Sequence, residues 1–144
     1  MKPVALAMTP KIDQHWLKKV SELVERLPNM RFRDDEGRPK SLDCHILAVA
    51  LGDVLRLRVV HGYYASKRSY NHSWLLGPKE SIIDPYPVYT VSGPILVGNG
   101  PLLPGPRLYF PATKRLYRIQ YEEMFSSEWF ACAVQRVARE FRKM

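Results

Sequence analysis

Apolar residues recur at helical spacing in two stretches, near the start and the end of the chain, and between them lie a helix-like apolar run and then extended, strand-like runs. In the first stretch, about Pro10 to Leu27, residues Trp16, Leu17, Val20, Leu23, Val24 and Leu27 share one side. Lys18, Lys19, Glu22 and Arg26 fall largely on the other. Thr9 is a candidate N-cap, Pro10 suits the first helical position, and Pro28 ends the pattern. Residues 29–40, NMRFRDDEGRPK, are polar and carry a turn signal at Glu36-Gly37. A second helix is predicted to start at Ser41 and to carry DCHILAVALGDVL. It is apolar on most faces, which marks a buried central helix. Gly52 lowers its helix propensity and suits close packing.

Three extended runs follow: Leu55–Ala65, Asn71–Leu76 and Ser81–Asp84, separated by SKRSY and GPKE. This punctuation predicts hairpins. Residues 85–111 are rich in proline and glycine. Proline removes a ladder donor, so regular strands are not placed there. Their Val, Ile, Leu, Tyr and Phe content predicts an ordered wrapping loop or lid. Tyr117–Tyr121 reads as one returning strand. A last helix is expected over Ser127–Arg142, with Trp129, Phe130, Ala133, Val134, Val137 and Phe141 as its inner stripe. Helices, then an antiparallel sheet, then a helix define an α+β fold: a central helix on a small antiparallel sheet, flanked by N- and C-terminal helices.

The chain has 144 residues, which predicts one domain over 1–144 with a substantial core. At 46% hydrophobic and 25% charged it reads as a globular protein. No run approaches the ~18 apolar residues of a membrane span. Two cysteines, Cys44 and Cys132, make no disulfide scaffold, so a reducing, cytoplasmic setting is expected, a delivered effector or phage-borne protein included. The net charge of +8 favours an acidic partner protein. Its basic residues are scattered, and Arg136, Arg139, Arg142 and Lys143 space like the solvated face of a helix, so nucleic acid is not the expected partner.

Against this background Cys44, His72 and Asp84 stand out. Cys44 lies near a helix start, where free amide groups and the helix dipole stabilise a thiolate. With Ser41 as cap it is the third helical residue. Adjacent Asp43 works in the opposite direction. A hairpin turn centred on Pro78 sets His72 across from Asp84 and Trp74 across from Ile82. Opposed Cβ atoms lie ~4.5–5.5 Å apart, which lets a carboxylate accept an imidazole N–H. A thiol nucleophile, its base and the base's orienter need this order.

Other constellations are less specific. His45 adjoins Cys44 but points about 100° away on a helix. His61 on the preceding strand is a group behind the site, and His15 lies on the first helix. Cys44, His45, His61 and His72 lack tight metal-ligand spacing, so neither a metal nor a cofactor is expected. Cys132 reads as a core thiol.

The helix-start Cys44, the HSW of His72–Trp74 and the IIDP of Ile82–Pro85 together resemble the transglutaminase-like group of the papain-like cysteine enzyme superfamily. The resemblance covers about residues 41–86. It implies acyl transfer through a thioester: hydrolysis, deamidation or transamidation of a protein or peptide amide, in a side chain or the backbone. It assigns catalysis to Cys44, His72 and Asp84; Trp74 and Tyr86 read as walls of the substrate site or equally as core aromatics, and Asn71 as a substrate contact. Two departures stand beside it. The interval from Cys44 to His72 is 28 residues, short for the larger members, and Gln14 and Asn71 are side-chain oxyanion donors by residue type alone. The alternative is a non-catalytic binding module on the same scaffold.

Overall fold

The computed structural model describes residues 4–5, 22, 31–64, 71–76, 82–85, 95–97 and 109–143. The helix expected over Pro10–Leu27 lies outside them except at Glu22, and so does Tyr86. In chain order the elements are β1 (Val4–Ala5), β2 (Arg31–Arg33), β3 (Pro39–Ser41), α1 (Cys44–Leu55), β4 (Arg58–Tyr64), β5 (Asn71–Leu76) and β6 (Ile82–Asp84). Then come β7 (Ile95–Val97), β8 (Tyr109–Pro111), α2 (Lys114–Gln120), α3 (Glu122–Phe125) and α4 (Glu128–Lys143). The architecture is α+β, with the cysteine-bearing helix on the sheet.

The main sheet has the order β1-β7-β6-β5-β4-β8. All neighbours run antiparallel except β1 and β7. The second sheet is the hairpin β2–β3. Its turn holds because Asp34 Oδ1 accepts from the Glu36 and Arg38 amides and Gly37 takes a φ of 80°.

α1 is sandwiched between the sheet and α4. Ile46, Leu47, Ala50 and Leu51 meet Leu75 and Ile83 from the sheet and Phe130, Val134, Val137 and Phe141 from α4. A helix buried on both sides must be apolar nearly all round, which its sequence is. Gly52 allows the approach: a Cβ there would lie 2.5 Å from Val59 Cγ2 and 3.3 Å from Leu75 Cδ2. The opposite face of the sheet carries a second core of Trp74, Ile82 and Tyr109.

Four sequence expectations are corrected. Ser41 is a β3 residue opposite Arg31, so the helix is capped by Asp43, whose carboxylate accepts from the Ile46 amide at 2.8 Å. Cys44 is therefore the first helical residue, not the third. Tyr117–Tyr121 is no strand: α2 runs Lys114–Gln120, capped by Thr113, whose hydroxyl accepts from Leu116 N. The proline-rich stretch holds two short strands: β7, a proline-free run paired with β1 and β6, and at its end β8, an edge strand where proline is tolerated. Cys132 is exposed, because it lies across α4 from the buried stripe of Phe130, Val134, Val137 and Phe141.

Candidate active site

Strand alternation places His72 and Ser73 on opposite faces of β5. On one face His72 Nε2 lies 2.7 Å from Asp84 Oδ2. The Tyr109 hydroxyl donates to the same oxygen at 2.6 Å. Trp74, 1% exposed, stacks on the imidazole with ring centroids 6.0 Å apart. His72 and Asp84 are fully buried.

The hairpin that joins them differs from the predicted register. Leu75 faces Ile83 and Leu76 faces Ile82, so Trp74, not His72, comes opposite Asp84 when the ladder is extended. The offset is two residues. An even shift keeps every side chain on its face, and a diagonal neighbour is within reach of a long side chain. His72 therefore still meets Asp84.

With Nε2 engaged by the carboxylate, Nδ1 is the nitrogen left to act. It is buried and has no hydrogen-bond partner among the described residues. An unsatisfied buried polar atom costs about 1–3 kcal/mol, so its presence calls for a reason.

Cys44 Sγ is half-buried and contacts the Asn71 carbonyl oxygen at 4.0 Å, one residue before His72. It makes no hydrogen bond to the imidazole. Burial pushes the thiol up to about 12; the backbone at Ser73 lowers it, while the Asp43 and Asp84 carboxylates add to the rise. Desolvation thus outweighs the helix-start effect expected from sequence, and the resting sulfur is a neutral thiol. At the start of α1 the Cys44 amide faces its own sulfur, no acceptor is found for the His45 amide among the described residues, and that of Ile46 is taken by Asp43. Asn71 is exposed at the strand's start. Trp74 backs His72 from within the second core.

Sequence reasoning missed two partners. Tyr109 sits in RLYFP, where tyrosine and phenylalanine before a proline signal an edge strand. The second is a buried polar cluster on the α1 face. There the Ser73 hydroxyl lies 2.6 Å from His45 Nδ1 and 2.5 Å from His61 Nδ1. It donates to one ring and accepts from the other. Burial lowers both imidazoles, His61 to about 4, where neighbouring His45 adds to the effect. His61 is thus tied to a different cluster from the one that holds His72. Tyr121, whose hydroxyl donates to the Gly62 carbonyl at 2.5 Å, closes this side.

Among the described residues no group of three or more His, Cys, Asp or Glu side chains is placed to hold a metal ion, and no helix is long and apolar enough to cross a membrane. Comparison with models of known protein families, with curated proteins and with solved structures found no match.

Proposed function

We propose that the chain is a thiol enzyme acting on an amide or ester carbonyl through an acyl-enzyme. One observation carries the reading: a buried imidazole held by a carboxylate at Nε2, with Nδ1 unengaged and Cys44 beside the same strand end. The similarity of Cys44, HSW and IIDP to transglutaminase-like enzymes supports it.

The chemistry follows from the neutral thiol. As Cys44 Sγ attacks the carbonyl carbon, its proton passes to His72 Nδ1, and Asp84 stabilises the imidazolium. The C–S bond forms while the carbonyl π pair moves to oxygen. The Cys44 and His45 amides are the donors available to that oxyanion. When the tetrahedral species collapses, the C–N bond breaks and the leaving amine takes the proton from His72. Water or an amine then attacks the thioester and releases Cys44. Hydrolysis, deamidation and transamidation share these steps and differ in the acceptor. The substrate class is a protein or peptide amide, and the setting is cytoplasmic.

The test is covalent trapping. A peptide chloromethyl ketone with a glutamine-like side chain should label Cys44 at neutral pH, as located by peptide mass mapping. Cys44→Ala should remove that label and Cys132→Ser should not. A label confined to exposed Cys132 sinks the proposal. A second reading, a binding module on the same scaffold that engages an acidic protein, is favoured by one observation: the raised thiol without a bond to His72. It predicts that second outcome.

A further inference from the structure

A separate cleft of about 440 Å³ opens along the first half of β4. Strand β8 pairs only with Gly62–Tyr64, so Arg58–Val60 have no neighbouring strand on that edge among the described residues. The chain turns from β8 into α2 here, and α2 forms the far wall.

The lining is strongly basic. Arg58 projects from β4, and Lys114 and Arg118 from α2, all three exposed. Lys114 and Arg118 are four residues apart and share one face of the helix, an arrangement of like charges that destabilises an isolated helix. None of the three makes a salt bridge or side-chain hydrogen bond among the described residues. Glu122, four residues beyond Arg118 and also at the cleft, is not paired with it. Uncompensated cations in a concavity focus a positive field on that spot.

The wall between them is aromatic and polar. His61 and Tyr117 both line the cleft, with ring centroids 5.9 Å apart and planes 31° from each other. Because His61 Nδ1 is held by Ser73, Nε2 is the polar atom this ring can offer. Glu122 adds an acceptor at the rim.

We propose that this cleft binds a small phosphomonoester carrying a planar ring, of mononucleotide size. Arg58, Lys114 and Arg118 take the phosphate oxygens, for which guanidinium groups provide paired donors. His61 and Tyr117 together form one wall against which the ring packs, and Glu122 accepts from a ligand hydroxyl or amine. The cleft's volume lies within the range of small-molecule sites. The proposal is independent of the thiol chemistry, since it uses none of Cys44, His72 or Asp84.

The experiment is an NMR titration of the full chain with adenosine monophosphate, with inorganic phosphate and with a single-stranded RNA oligonucleotide. Saturable shifts of the amides of residues 58–61 and 112–118 are expected with the mononucleotide. Affinity should exceed that for inorganic phosphate about tenfold, as one added ring contact worth ~1.4 kcal/mol would give. Arg118→Gln and Lys114→Gln should each weaken binding about tenfold or more, the loss of a charge-assisted hydrogen bond. Arg139→Gln on exposed α4 should leave it unchanged. Linear, unsaturated shifts, equal affinity for inorganic phosphate, insensitivity to Arg118→Gln, or tight binding of the RNA alone would each overturn the proposal.

Discussion

Two buried histidine clusters sit back to back on β5, one residue apart in sequence, and chemistry separates them. The Ser73 cluster is neutral and satisfied: a hydroxyl joins His45 to His61, and burial keeps both imidazoles uncharged. The His72 cluster contains a carboxylate, and one of its nitrogens is left over. A hydroxyl between two rings can only share protons that are already there. A carboxylate can stabilise an imidazolium that forms when a proton arrives. The first arrangement fastens α1 to the sheet. The second has the arrangement that the proposed chemistry asks of a proton acceptor, and this difference, not the number of histidines, locates that chemistry.

The largest way to break the comparison is Asp84→Ala. It strands His72 and the Tyr109 hydroxyl in a dry interior and should cost about 3–5 kcal/mol, the range for removing one partner of a buried pair. Urea denaturation measures it. Tyr109→Phe keeps the ring and removes one charge-assisted hydrogen bond, so a loss of about 1.5–3 kcal/mol is expected in the same assay. Ser73→Ala should cost about 1–3 kcal/mol by leaving one imidazole N–H unpaired. It should leave acyl transfer at Cys44 in place, since the hydroxyl contacts neither His72 nor Asp84.

The smallest effect is on acid stability. His61 is held neutral in the fold with its value lowered from 6.5 to about 4, while in the unfolded chain it titrates normally. Below its unfolded value the unfolded state binds the extra proton, so stability present above pH 6.5 is lost as pH falls towards about 4. For a partly exposed ring this amounts to about 1–2 kcal/mol. Replacing His61 by Gln should flatten stability across that window. An unchanged slope would show that the Ser73 cluster does not hold its histidine neutral.

The sequence makes the helices and the site's residues legible for different reasons. α4 is read from periodicity because one-sided burial on a 3.6-residue repeat leaves a clear trace, whereas α1, buried on both sides, is read from an apolar run too long for a strand. The His72–Asp84 meeting is read correctly from an incorrect register, because faces depend only on parity and a diagonal contact suffices. Tyr109 is hidden: it comes to Asp84 from 25 residues away, in a strand of three residues that ends in proline. The Ser73 cluster is hidden because His45 and His61 meet through a third residue on β5. The state of Cys44 is misread because helix position is visible in sequence whereas desolvation is a property of the packed fold.

The most direct test of the central claim is the rate at which Cys44 is acylated by an activated acyl ester at neutral pH, followed by acid quench and intact mass in a Cys132→Ser background. His72→Ala should slow this acylation by about 10²–10⁴-fold, the usual contribution of a positioned general base. Equal rates with and without the imidazole, or no acyl group on Cys44 at all, would contradict it.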